Sequence, residues 1–127
     1  MKILLSRGAI TLYTSENTEN DNESGLCALF QSENYDILIT GDRSVSGERK
    51  LLQKAELPKL ELLIAGHHGA ADATGRELLL TTRPVAVAIS CGENAYGHPA
   101  PATIELLQEF NCVIYRTDEQ GTLLFRG

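Results

Sequence analysis

Tryptophan is absent and aromatic residues make up only 6% of the chain, so the row of rings on which single-stranded nucleic acid stacks is missing. Positive charge is scarce as well. The net charge is −6 and the pI is about 5.0, which excludes holding a polyanion by counterion release alone. A phosphodiester partner would need metal ions or help from outside the chain. No run of about 18 apolar residues occurs, and Met1-Lys2-Ile3-Leu4-Leu5 is too short for a membrane span or the core of a signal peptide. A soluble chain with no targeting signal of its own is therefore expected. Cysteine is limited to Cys27, Cys91 and Cys112, with no C-x-x-C among them. An odd count, wide spacing and apolar surroundings argue for buried reduced thiols acting as small hydrophobes, against a disulfide framework or a cysteine zinc site.

What is present suffices for one domain: 127 residues, 43% hydrophobic and 22% charged, can bury a working core. Lys2–Leu5 and Ala9–Tyr13 read as short strands broken at Ser6-Arg7-Gly8. A polar tract from Thr14 to Ser24, with Glu16, Glu19, Asp21 and Glu23, has no face to bury and reads as a solvated loop. Gly25–Phe30 and Tyr35–Thr40 form a hairpin around Gln31-Ser32-Glu33-Asn34. A helix follows with Ser44 or Ser46 as N-cap and Leu51, Leu52 and Ala55 as its apolar stripe, stopped by Pro58. Leu60–Gly66 is a strand, Thr74-Gly75-Arg76-Glu77 has the pattern of a capping box opening a helix, and Pro84 ends that helix. Val85–Cys91 is apolar without alternation, as in a central strand covered on both faces. Pro101 suits the first position of another helix and Asn111 its left-handed terminator. Cys112–Arg116 and Thr122–Phe125 read as closing strands around a polar turn at residues 117–121.

The second half thus alternates strand and helix, and right-handed crossovers bring the strands beginning at Leu60, Val85 and Cys112 parallel, with their C-terminal ends on one edge. The chain has three histidines: His67 and His68, where the run Leu62-Leu63-Ile64-Ala65-Gly66 gives out, and His98 in Tyr96-Gly97-His98-Pro99. All sit beyond strand ends, where α/β proteins do chemistry. Asp42 follows a strand in Gly41-Asp42 and joins the edge if that strand runs the same way. Imidazole with carboxylate suits zinc or manganese. Neighbours in an extended segment point to opposite sides, so only one of His67 and His68 is expected to bind an ion. The count is then two ligands, Asp42 and one of the two histidines, or three with His98, where a catalytic zinc site takes three protein ligands and a water, so the set looks like half a site.

Taken together, Ile39-Thr40-Gly41-Asp42, Ala65-Gly66-His67-His68-Gly69, Ser90-Cys91-Gly92, Tyr96-Gly97-His98-Pro99, and Tyr115-Arg116-Thr117-Asp118 with Gly121 strongly resemble the metallo-β-lactamase-type domain of the ComEC family of bacterial DNA-uptake competence proteins. The resemblance runs from about Asp21 to the end. It implies an α/β fold, an αββα sandwich with a mixed sheet and βαβαβ crossovers, and a metal-dependent hydrolase acting on phosphodiesters of DNA. It further implies Asp42 and His68 as metal ligands to zinc or manganese, with His67 and His98 near the scissile phosphate as catalytic residues. A bridging carboxylate of this kind holds two cations that activate water and clamp both phosphodiester oxygens.

The family's H-x-H-x-D-H run is missing from this sequence. Residues 1–127 are accordingly expected to form a single incomplete domain, the second half of the sandwich, that binds metal weakly and is inactive alone. Partners implied by the family are DNA and, through the parent protein, the bacterial membrane. An uncovered sheet face is expected to promote self-association. A small-molecule phosphoesterase of the same fold and a non-catalytic structural module are the competing classes.

Overall fold

The computed structural model describes residues 1–14 and 25–126; apart from Thr14, the polar tract with its carboxylates lies outside them. Seven strands form one sheet in sequence order: β1 (Lys2–Leu5), β2 (Gly8–Tyr13), β3 (Cys27–Ser32), β4 (Asp36–Ile39), β5 (Leu62–Ile64), β6 (Ala86–Ile89) and β7 (Val113–Arg116). The first four pair antiparallel and β4 through β7 pair parallel. The mixed α/β sheet matches expectation, and β4 runs the same way as β5, which brings residue 42 to the shared edge.

The helices are α1 (Val45–Lys54), α2 (Arg76–Thr82), α3 (Pro101–Glu109) and the single turn α4 (Thr117–Gln120). None is long and apolar enough to cross a membrane among the described residues. Parallel strands in consecutive order, joined by right-handed crossovers, put every crossover helix on one face. On that face Leu29, Leu38, Leu63 and Val87 lie in register and pack in one cluster with Leu51 of α1, Leu78 and Leu79 of α2, and Leu107 of α3, all nearly inaccessible. Truncating a leucine at such a position costs about 2–5 kcal/mol.

The opposite face is apolar too, because β5 and β6 have no alternation: Leu62 and Ile64 point away from Leu63. Its register row runs Ile3, Ile10, Phe30, Ile37, Leu62, Ala86, Val113. Ile3, Phe30 and Val113 are 42%, 37% and 50% exposed, so no layer of helices covers them among the described residues. The segment predicted as a last strand, Thr122–Phe125, makes no ladder. It lies across this face instead, with Phe125 edge-on to Tyr115 at a centroid distance of 5.4 Å. A phenylalanine that can shield sheet surface gains more by burial than by extending an edge.

Of two helix signals in the sequence, the cap of α1 forms as expected and the capping box of α2 does not. Helix α1 takes Ser44 as its cap, the hydroxyl accepting from the Gly47 N–H at 3.3 Å, and ends at Lys54, before Pro58. The capping box does not form: Gly75 is the N-cap of α2 and gives no side-chain bond. The Glu48 carboxylate, from α1, accepts from the N–H groups of Thr74 (2.6 Å) and Gly75 (2.8 Å), so a carboxylate from a neighbouring helix replaces the local one. Arg83 and Asn111 take the left-handed conformation at the ends of α2 and α3, the latter as predicted. Cys27 is buried and its thiol is pushed up to about 12, chiefly by burial. Cys91 and Cys112 are free and only half-buried, so full burial holds for one thiol of the three.

Candidate functional site at the strand ends

The parallel strands end side by side, and the loop after each carries one part of the site. After β5, Ala65 extends the ladder by donating to the Ala88 carbonyl at 2.9 Å. The Gly66 N–H then donates to Thr74 Oγ1 at 3.0 Å, and the His67 N–H to the Gly41 carbonyl at 2.9 Å. That last bond sets the Gly41-Asp42 turn directly against the histidine turn. A Cβ at Gly66 would crowd Thr40 Oγ1 at 3.0 Å and the Gly41 carbonyl oxygen at 3.3 Å, so a larger residue there would push the two turns apart by a few tenths of an ångström.

Residues 67–69 then turn left-handed: φ is 47° at His67, 56° at His68 and 79° at Gly69. This overturns the expectation that the adjacent histidines point to opposite sides, which assumed extended backbone. In a tight left-handed turn the rings splay on one side of the chain, with centroids 6.4 Å apart. His98 approaches from the loop after β6, its ring centroid 5.7 Å from that of His67. The three histidines do meet, with His67 in the middle.

Each ring is held differently. His68 Nδ1 lies 2.6 Å from the Ser90 carbonyl oxygen; a carbonyl only accepts, so Nδ1 carries the proton and Nε2 of the neutral ring keeps its lone pair. His67 Nδ1 is 3.8 Å from Asp72 Oδ1, a pair with its carboxylate in solvent. His98 has a buried Nδ1 without a partner among the described residues, while its backbone N–H and carbonyl are clasped by the Asn94 side chain at 3.0 and 2.7 Å. At the end of β7, Thr117 Oγ1 accepts from the Cys91 N–H at 2.9 Å and donates to the Cys91 carbonyl at 2.7 Å, tying the fourth loop to the third. The Asp118 carboxyl is lowered to about 2 by the Arg116 guanidinium, which donates to it at 3.1 and 2.8 Å.

No group of three His, Cys, Asp or Glu among the described residues is arranged to hold an ion. His68 offers one ligand-competent nitrogen, and Asp42 is exposed in the turn that Gly41 anchors, with no ion pair among the described residues. His67 and His98 stand beside them.

No family model matches the chain. Over 106 residues it is 32% identical to ComE operon protein 3 of Bacillus subtilis (strain 168), an alignment covering 83% of this chain and 14% of that protein. It is 35% identical over 92 residues to Competence protein ComA of Neisseria gonorrhoeae, covering 70% of this chain and 13% of the other. The chain is homologous to a segment of a competence protein. Recombination protein 2 of Haemophilus influenzae (strain ATCC 51907 / DSM 11121 / KW20 / Rd) gives 29% over 105 residues, 82% of this chain and 13% of the relative. The chain therefore spans about one-seventh of the length of these relatives.

Within this homologous segment the residues singled out by sequence, Asp42, His67, His68 and His98, fall on one edge. Three groups escaped notice: the Ser90 carbonyl, Asp72 and Glu48. A backbone acceptor has no sequence signal, and Asp72 lies in a loop without periodicity. Glu48 stands in the first turn of α1, where an acidic residue reads as an ordinary partner of the helix dipole.

Left-handed φ at a non-glycine residue costs on the order of 1–2 kcal/mol. His67→Gly removes that strain but adds backbone entropy to the unfolded chain, so a net gain of about 0.5–1 kcal/mol in urea unfolding is expected. A loss of stability would mean that the ring contributes more through its contacts than its backbone costs.

Proposed function

We propose that this chain is part of a DNA-uptake protein and supplies the imidazole wall of a metal-dependent phosphodiester-hydrolysing site whose remaining donors lie on residues outside this sequence. The observation that carries the proposal is the arrangement of His68: Nδ1–H fixed on the Ser90 carbonyl leaves Nε2 as a lone-pair donor, the second-shell pattern of metal-binding imidazoles. The competence relatives support the biological setting. Asp42 is the carboxylate ligand in this scheme and His68 the imidazole ligand, to zinc or manganese. His67 and His98 face the substrate, where an imidazole N–H donates to a phosphate oxygen or a leaving group as charge develops. The apolar face of the sheet, crossed by the 122–125 segment and without a helix layer among the described residues, supports a second layer packing there in the assembled protein, as in an αββα sandwich.

Zinc titration of the purified chain, followed by calorimetry and elemental analysis, tests this. Weak binding that His68→Ala abolishes, with no hydrolysis of DNA, is the expected result. Two tightly held ions per chain would overturn the idea that the site is incomplete, and binding indifferent to His68→Ala would remove the ligand assignment.

A further inference from the structure

The loop after β6 ends in an exposed aromatic ring that the fold does not use. Tyr96 is 84% exposed, yet its ring lies nearly parallel to that of His98, with an interplanar angle of 16° and centroids 5.9 Å apart. The loop does not depend on the ring for its shape. Asn94 organises it: Nδ2 donates to the Gly92 and His98 carbonyls at 2.9 and 2.7 Å, and Oδ1 accepts from the Tyr96 and His98 N–H groups at 3.1 and 3.0 Å. Gly97, with φ of 76° and open space around it, completes the bend. The rings of Tyr96, His98, His67 and His68 consequently form a continuous row, with successive centroids 5.9, 5.7 and 6.4 Å apart.

Beside the row is a pocket of about 220 Å³ lined by His68, Cys91, Gly92, Asn94, Tyr96 and His98. It is smaller than the roughly 300–1,000 Å³ of a site for a drug-sized ligand and suits one planar group. An aromatic ring backed by an imidazole and open on its other face is a surface for another flat π-system.

We propose that Tyr96, stacked on His98, receives one nucleobase of a single-stranded nucleic acid and so seats the adjoining phosphodiester at His67 and His68. The proposal rests on the function given above and names the form of its substrate: a strand with unpaired bases, because a base inside a duplex has no free face. One ring is not a platform. The scarcity of aromatics limits the contact to a single base, and the acidic chain adds no long basic track, so Tyr96 acts as a positioning residue for a strand delivered by the rest of the assembly. Every base offers a π-face, so the contact is tolerant of sequence.

The test uses the purified chain with zinc supplied, since this acidic chain needs metal ions to hold a phosphodiester, and two short fluorescein-labelled single strands of equal length and charge, one with bases and one with abasic sugars. Affinities are read by fluorescence anisotropy at low salt. The base-containing strand should bind about fivefold or more tighter, the weak end of what one ring stacked on a base supplies. Tyr96→Ala should erase that difference, Tyr96→Phe should keep it, and neither should change affinity for the abasic strand. Equal binding of both strands by the wild-type chain, or a preference that survives Tyr96→Ala, overturns the stacking proposal while phosphodiester recognition by the histidines stands. Binding of neither strand overturns both. Tyr96→Ala should unfold at the same temperature as wild type, because the ring is almost wholly exposed, and this separates lost stacking from lost fold.

Discussion

Gly69→Ala should lower stability by about 2–5 kcal/mol and pull His98 away from His67. Gly69 sits at φ 79°, and a Cβ there would stand 2.8 Å from Pro99 Cβ and 3.2 Å from Ile89 Cγ2. Left-handed strain on an alanine accounts for about 1–2 kcal/mol, and overpacking against a proline ring and a β-branched side chain, neither able to swing aside, for another 1–3 kcal/mol. Relief requires the 99–100 segment to retreat, yet the Ala100 N–H is bonded to the Gly69 carbonyl at 2.9 Å, so the retreat breaks that link as well. His98 immediately precedes Pro99 and moves with it. Gly97→Ala is the matched control: φ is 76° there too, but nothing lies within 4 Å of the added carbon, so only the strain applies. Urea denaturation of both variants separates the two effects, and ring proton shifts of His67 and His98 report the displacement. Equal losses in the two variants would show that the close approach of the 67–69 turn to Pro99 is unimportant.

That close approach explains how much of the site was legible. Strand ends were readable because an apolar run that stops at glycine has few other meanings in an α/β chain, and four parallel strands then align whatever follows them. Asp42, His67, His68 and His98 were found on that logic alone. The direction of the histidine side chains was not readable, since a glycine on either side of an HH pair permits either extended or left-handed backbone. The choice is made by hydrogen bonds from Gly41, Thr74 and Ala100, residues far apart in sequence. Thr74 shows the same thing in another form. Its position ahead of Gly75-Arg76-Glu77 suggests a capping box, but its hydroxyl is committed to the Gly66 N–H, and it too has a positive φ of 55°. A tertiary bond displaced a local one, and the orphaned amides at the start of α2 were satisfied from α1 instead.

The carboxylate that satisfies them gives the second large effect: stability should fall as pH rises from about 4.5 to about 7, and Glu48→Gln should flatten that dependence. Glu48 is 1% exposed, and its carboxyl is raised to about 7, burial being the main cause, with repulsion from Asp72 adding and the Gly75 and Thr74 N–H groups opposing. The folded chain therefore keeps a proton that the unfolded chain, titrating near 4.5, has already released. Where the native state binds more protons than the unfolded state, stability decreases with pH. The decrease runs from about pH 4.5 to about 7 and then levels off. A shift of this size corresponds to about 3 kcal/mol at 1.36 kcal/mol per unit. The Asp118 carboxyl, lowered by Arg116, has the opposite sign, its contribution being lost only as pH falls below the ordinary aspartate value of 3.8, so the two windows do not overlap. Glutamine is uncharged and of the same shape. Its amide offers one acceptor oxygen where the carboxyl offers two, so one of the Thr74 and Gly75 N–H groups is left facing an NH2; the variant should lie about 1–3 kcal/mol below wild type at pH 5 and close that gap as pH rises to 8. Urea denaturation at fixed ionic strength across this range decides the matter; a Glu48→Gln variant that retains the wild-type slope would place the titration elsewhere. Glu48 holds the Thr74 and Gly75 amides, and Thr74 Oγ1 holds Gly66 at the root of the histidine turn. The amide shifts of residues 66, 74 and 75 should therefore titrate together, with a midpoint near 7, carrying the protonation state of a helix-buried carboxyl to the backbone that aims His67 and His68.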